Sequence, residues 1–335
     1  MARVKLSINF DSFYTSIYRS EYGLVLKEPS VAAVDEAQGG AIKAIGNDAK
    51  KLIGKTSKTT KIIFPVFEGE IVNEKVAISV LSGFLKKIEV KNTLFGAEVV
   101  FAMPCGATAE MINKYKKISH GVGFSKVHFV EAPYLSALGQ RVPFTDSAPC
   151  FVIDMAGGVT NIATLSLDGI IAGVSVNFGD NKICADIIDF IAERYSIQIG
   201  LLTAERLKNE IGSLDDNDSL STVVNGRDMK TGTPTSINIK ACDIVEPIKI
   251  YFDKIAEIAM SVLQKLPPEV SADVRRSGIY LSGIASSVYG LENYYKQKFN
   301  MNVNVADNAD VVVALGGGIA IGDKTLLKKI ELKTK

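Results

Sequence analysis

Asp154, Gly157, Gly158 and Thr160 fall within one short phrase, Phe151-Val152-Ile153-Asp154-Met155-Ala156-Gly157-Gly158-Val159-Thr160-Asn161-Ile162. Its pattern is an apolar strand ending in an acid, a small-residue turn and a second strand. Backbone N–H groups at Gly157 and Gly158 can close on phosphate oxygens, because no Cβ holds the ligand away. Asp154, at the strand end, can hold the Mg²⁺ that accompanies a nucleotide, directly or through water. An altered echo runs from Ile8 to Ile17: Ile8-Asn9-Phe10-Asp11-Ser12-Phe13-Tyr14-Thr15-Ser16-Ile17. Ile8 aligns with Ile153, Asn9 with Asp154, Thr15 with Thr160 and Ile17 with Ile162, but both glycines are gone. Two strand–turn–strand units facing one phosphate group predict a duplicated nucleotide clamp with one modified jaw.

Elements must hold those loops in place. With 335 residues and 47% hydrophobic composition, the chain can bury more than one core, so two lobes or more are expected. A net charge of +1 disfavours nucleic acid as the main partner. The four cysteines form no C-x-x-C pair and read as reduced, buried thiols. Two histidines are too few for a zinc site. No apolar run reaches the ~18 residues of a membrane span, and the N-terminus reads as a strand, so a soluble, cytoplasmic protein is expected.

Alternation at Val4, Leu6, Ile8 and Phe10 predicts a first strand, with its return beginning at Ser16–Arg19. Pro29 to Val34 reads as another strand, and Asn47–Ile53 as a short helix. The lysine-rich stretch from Lys43 to Lys61 reads as a solvated surface. Asn73 is a plausible N-cap for a helix through Ile88, and Thr108 opens a helix to about Ser119. Strands are expected at Glu98–Met103, Lys126–Val130, Cys150–Leu167 and Gly278–Ser282. Helices are expected at Asp180–Ser196, from a Thr203 cap, and over Ile244–Leu266. Ser213–Asn225 reads as a polar loop, and Leu315–Gly318 as the lead into a terminal helix. Strands with helical crossovers imply an α/β chain, two related lobes each with a mixed sheet flanked by helices and a nucleotide cleft between them.

Several further phrases occur in a fixed order: Gly23–Val31, Ala44–Lys51, Val130-Glu131-Ala132-Pro133, Asp154–Thr160, Thr203–Gly212, Gly226–Gly232 and Arg276–Gly283. Together they resemble the MreB family of bacterial actins over nearly the whole chain. The resemblance implies an actin-like fold in four subdomains. They are IA (1–32 with 75–145 and 318–335), IB (33–74), IIA (146–181 with 247–317) and IIB (182–246). It also implies ATP or ADP with Mg²⁺ in the central cleft, and self-association into polar, paired protofilaments on the inner face of the cell membrane. Cell-shape or cell-wall machinery is the implied partner.

By the same resemblance, Glu131 matches the acid that orients the attacking water, and Asp154 the metal-handling acid. Ser12, Phe13 and Tyr14 fall in the first phosphate loop; Gly157, Gly158 and Thr160 fall in the second. Gly179 and Asp180 match a turn beside the nucleotide, Glu205 and Lys208 groups near ribose and base, and Gly283 and Ile284 a wall at the adenine. Three departures weaken the expected ATPase. Asn9 lacks the acid's charge, Asp11 stands where the family has a glycine, and Ile284 interrupts a glycine run. Asp11 either repels phosphate or takes over the metal. Leu94 and Phe95 form an apolar pair where the resemblance implies a membrane-inserting loop. A pseudo-ATPase polymer that assembles without nucleotide is the alternative, and a small-molecule kinase is a third reading.

Overall fold

β1 (Val4–Phe10) buries Leu6, Ile8 and Phe10 on one face and Ser7 on the other, the period-two pattern expected of a strand covered on both sides. A computed structural model of the chain describes residues 3–90, 96–144, 148–166 and 169–333. β2 (Tyr14–Arg19) returns antiparallel to β1, and β3 (Gly23–Pro29) follows antiparallel to β2. The single strand expected over Pro29 to Val34 is instead two. The chain leaves the sheet at Ser30, whose hydroxyl meets Thr15 Oγ1 at 2.8 Å and whose N–H bonds Phe13. β4 (Ala32–Asp35) then starts a separate sheet with β5 (Ala41–Ile45) and β6 (Thr60–Ile63) on either side. α1 (Gly46–Lys50) lies between them, and β7 (Val66–Phe67) and β8 (Glu70–Ile71) form a small hairpin.

α2 (Glu74–Lys87) starts where expected, with Asn73 Oδ1 accepting from Val76 N–H. β9 (Ala97–Met103) pairs parallel with β1. α3 (Ala109–Val122) is capped by Thr108 and closed by Gly123, and β10 (Lys126–Glu131) pairs parallel with β9. α4 (Ala132–Gly139) follows with Pro133 in its first turn, a position that needs no N–H.

The second half repeats the plan. β11 (Cys150–Met155), β12 (Thr160–Ser166) and β13 (Gly169–Val176) form an antiparallel meander. After α5 (Asp180–Tyr195) come β14 (Ile197–Gln198) and α6 (Leu201–Ile211). Gly200 is the N-cap of α6; Thr203, the expected cap, lies inside it and donates its N–H to the Gly200 carbonyl. The stretch read as a polar loop carries β15 (Ser221–Asp228), paired with β16 (Pro234–Lys240). In β15 only Val224 is fully buried, so its composition is that of a solvated strand, which resembles a loop in sequence. α7 (Val245–Leu263) and α8 (Pro268–Ser277) lead to β17 (Ile279–Ser282), parallel to β11. After α9 (Leu291–Phe299), β18 (Val303–Val305) pairs parallel with β17.

The two five-stranded sheets therefore run β3-β2-β1-β9-β10 and β13-β12-β11-β17-β18, each an antiparallel meander extended by two parallel strands. The register agrees as well: Ile8 faces Ile17 and Phe10 faces Thr15, as Ile153 faces Ile162 and Met155 faces Thr160. One core lies under α2 and α3 around Phe84, Phe101 and Tyr115. Another lies under α5 and α7 around Ile153, Ile187, Phe252 and Ile255. Between the sheets, α4 and α10 (Val312–Gly322) enclose Val100, Leu135, Val152 and Val313; α11 (Lys324–Ile330) ends the chain's helices. The glycines expected to precede the last helices lie within α10. There a Cβ on Gly316 would fall 1.7 Å from Leu135 O and one on Gly317 2.0 Å from Ser7 Oγ. Glycine is a poor helix former, and the close approach of α10 to α4 and β1 requires it here.

Candidate functional site

The turns after β1 and β11 meet face to face at the base of the cleft. Asp11 Oδ2 accepts from Gly157 N–H at 2.7 Å, and Asp11 Oδ1 from Gly158 N–H at 3.4 Å. A Cβ on Gly157 would lie 2.5 Å from that carboxylate, and one on Gly158 2.2 Å from Ser12 Oγ, so only glycine allows this approach. The Ser12 hydroxyl is buried and has no hydrogen-bond partner among the described residues. Burial pushes the Asp11 carboxyl above its ordinary value, while N–H groups of Ser12, Gly157, Gly158 and Phe13 pull the other way.

Asp154, at the end of β11, is 2% exposed. Ser282 Oγ donates to its Oδ1 at 2.8 Å and Asn161 Nδ2 to its Oδ2 at 3.2 Å. Asn161 is the residue opposite Asp154 in the β11–β12 ladder, and its own Oδ1 accepts from Cys105 N–H. Burial pushes the Asp154 carboxyl up to about 6, and the nearby Asp11 adds to that rise against the bonds from Ser282 and Asn161. Asn9, Asp11 and Asp154 line the same small hollow.

Glu131 ends β10, and its Oε1 accepts from Gly106 N–H at 2.5 Å; its neighbour Ala132 lines a hollow shared with Asp11 and Asp154. Burial pushes its carboxyl up, partly offset by the Gly106 bond. Thr160 turns its hydroxyl into the second lobe, donating to the Phe178 carbonyl at 2.6 Å and meeting Tyr251 Oη at 3.0 Å. Those two bonds tie the start of β12 to the chain just past the end of β13 and to α7.

Gly179 packs against the same loop, where a Cβ would lie 2.5 Å from the Gly157 carbonyl. The first N–H groups of α5, at Asp180 and Asn181, donate to Ala156 and Gly157 carbonyls at 2.9 Å each. The helix start thereby holds the loop's carbonyls away from the cleft. Asp180 is fully buried against Lys208, which donates to both its oxygens at 2.6 and 2.7 Å. Glu205, one turn earlier on α6, crosses the cleft instead. It accepts from Tyr14 Oη at 2.6 Å, and Lys50 Nζ lies 2.6 and 2.8 Å from its oxygens. Lys27 closes a further pair with Asp310.

Outward of these contacts lies a cavity of about 990 Å³, lined by Tyr14, Lys27, Lys208, Gly212, Ile284 and Asp310 among others. The inner hollow, between Asp11, Asp154, Gly157, Gly283 and Ile284, holds only about 20 Å³. Gly283 has φ +87°, and a Cβ there would fall 2.2 Å from Met155 backbone atoms. Half-buried Ile284 borders both spaces. Leu94 and Phe95 lie outside the described residues. Sequence reasoning missed Asn161, Ser282, Lys27 and Lys50. Asn161 was readable as the strand partner of Asp154, whereas Lys50 lay in a stretch taken for a solvated surface.

The MreB/Mbl protein family model matches residues 3–329. The cell shape-determining protein MreB of Pasteurella multocida is 32% identical over 323 residues, covering 94% of this chain and 92% of the relative. The crystal structure of MreB 5 of Spiroplasma citri bound to AMPPNP superposes with a TM-score of 0.91 at 27% identity, covering 98% of both chains. A MamK double helical filament shares the fold alone, with a TM-score of 0.81 at 17% identity over 96% of this chain and 99% of that one. On its sequence and its actin-like architecture, this chain belongs to the MreB/Mbl family of cell shape-determining cytoskeletal proteins.

Proposed function

We propose that this chain is an adenine-nucleotide-binding filament protein, cytoplasmic and peripheral at the inner membrane face, that helps set cell shape and hydrolyses ATP poorly. The observation that carries this reading is the cleft itself. The Gly157–Gly158 loop rests on the start of α5, Asp154 lies beneath it, and a cavity with ample room for a nucleotide opens beside Tyr14, Lys208 and Ile284. A relative of the same fold, MreB 5 of Spiroplasma citri, is bound to AMPPNP in its crystal structure, which supports a nucleotide here. The division into subdomains at the boundaries given above belongs to this reading, as do self-assembly into paired protofilaments and work with cell-wall machinery.

The described residues contain no group of three or more acids, histidines or cysteines arranged for a metal. Each Asp154 oxygen accepts one hydrogen bond and keeps a lone pair. That donor set fits Mg²⁺ held chiefly by phosphates and water, with Asp154 orienting the water. Bound there, the ion would neutralise phosphate charge. Weak hydrolysis follows from the first turn: Asn9 brings no charge beside Asp154, and Asp11 occupies the Gly157 and Gly158 N–H groups.

Electron microscopy of the purified protein with and without Mg-ATP, alongside equilibrium binding of a fluorescent adenine nucleotide, tests the reading. Nucleotide binding with filaments supports it. Binding without filaments, on lipid or off it, removes the cytoskeletal part; filaments without binding favour the second reading. That second reading, a polymer independent of nucleotide, has one observation in its favour: Asp11 already occupies the Gly157 and Gly158 N–H groups.

A further inference from the structure

Two consecutive N–H groups converging on the two oxygens of one carboxylate reproduce the way a glycine loop holds two oxygens of a phosphate. The fit leaves no gap. Phe13 Cβ and Asp11 Oδ2 both stand 2.5 Å from where a Gly157 Cβ would be. The hollow of about 20 Å³ beside them leaves room for about one water. An external anion can therefore reach these N–H groups only by displacing the Asp11 side chain. The outer cavity of about 990 Å³ has no such obstruction.

Charge reinforces sterics. Lys208 is held by Asp180, Lys50 by Glu205 and Lys27 by Asp310, so the cleft's lysines are already paired. Asp11 and Asp154 have no cationic partner among the described residues, and an added phosphate would bring further negative charge to them. The buried Ser12 hydroxyl, beside Gly158 and without a partner, remains available to a ligand oxygen that stops short of the Gly157–Gly158 seat.

We infer that Asp11 is a tethered substitute for a terminal phosphate. Its carboxylate fills the seat formed by Gly157 and Gly158, so that the cleft selects a nucleoside diphosphate over the triphosphate and stays latched between its lobes without either. This rests on the nucleotide reading above, and Asp11 is its specificity-determining residue.

The test compares ADP and ATP affinities, each with Mg²⁺, for the full chain, Asp11→Gly and Asp11→Asn. It adds the melting temperature of each protein with and without inorganic phosphate. The expected result is an unmodified chain that binds ATP no more tightly than ADP. In Asp11→Gly, ATP affinity rises about tenfold or more as the charge and bulk are removed, and ADP affinity changes by much less, so that the ATP-to-ADP ratio rises. Asp11→Asn, which keeps the shape, gains less. Inorganic phosphate raises the melting temperature of Asp11→Gly and leaves the unmodified chain where it was. A clear ATP preference in the unmodified chain overturns the inference, as does Asp11→Gly with neither an ATP gain nor a phosphate response. If Asp11→Gly does not fold, the ATP-to-ADP ratio of Asp11→Asn decides, an unchanged ratio counting against. Should no variant bind adenine nucleotide, the nucleotide reading fails. The phosphate response of Asp11→Gly then still decides for or against the tethered anion.

Discussion

Lys208 donates to both oxygens of Asp180 in a pair of which the lysine is 3% exposed and the aspartate not at all. The pair ties α6 to the start of α5, directly behind the Gly157–Gly158 loop. Removing one member leaves a charge buried without its partner, which costs about 3–5 kcal/mol, far more than an exposed pair contributes. Lys208→Met is therefore expected to lower the urea midpoint strongly, and Lys208→Met with Asp180→Leu to recover much of the loss. A single variant that unfolds like the unmodified chain would show the pair to be dispensable.

The four thiols should differ sharply in reactivity. Cys105, Cys150 and Cys184 are buried, and Cys242 is exposed. Burial pushes the Cys105 and Cys150 thiols up to about 12, and that of Cys184 higher still, so thiolate is scarce at neutral pH. A disulfide reagent at pH 8 is expected to titrate a single thiol in the native chain, lost in Cys242→Ser, and all four in denaturant. Fast reaction of a second native thiol would contradict the packing around it.

His128 joins β10 to the chain end, with Nε2 3.0 Å from Glu98 and Nδ1 2.9 Å from Glu331. Burial pushes the Glu98 carboxyl up, but the bonds from His128 and Lys126 more than reverse this and hold it below the usual carboxylate range. A carboxylate with a depressed native pKa contributes stability above its unfolded value, near 4.5, and loses it as pH falls through the native one. The unmodified chain should thus lose more stability than Glu98→Gln on acidification below about pH 4.5. Parallel pH profiles for the two proteins would remove Glu98 from the account.

Much of the cleft's frame was legible because it repeats. Isoleucines at Ile8, Ile17, Ile153 and Ile162 mark equivalent rungs of two ladders, and the periodicity alone placed them on strands. Asn73 and Thr108 were readable as caps because the cap is a local contact. The contacts that decide the cleft's state are not local. Asp11 reads in sequence as repelling phosphate or taking a metal, but the N–H groups its carboxylate meets lie far along the chain and only the fold brings them together. Glu205 and Lys208 share a helix face, but their separate partners, Tyr14 with Lys50 and Asp180, come from other elements. Helical spacing identifies such a face without identifying what folds against it.

Gly283 allows the sharpest separation of backbone strain from packing. Its φ of +87° is shared in sign by Gly232 at +73°, but their surroundings differ. A Cβ at Gly232 would meet nothing within 4 Å, so Gly232→Ala should cost only the left-handed conformation, about 1–2 kcal/mol. At Gly283 the same methyl would lie 2.2 Å from the carbonyl of Met155, the residue that carries β11 into the Gly157–Gly158 loop. Backbone cannot yield as a flexible side chain would, so Gly283→Ala should lose at least about 3 kcal/mol and displace Ile284 and the loop together. Urea denaturation of the two variants, with nucleotide affinity as a second reading, checks this. Equal midpoints would mean that β17 can shift away from β11 at little cost, and that Ile284 is not held against the cleft by its neighbour's backbone.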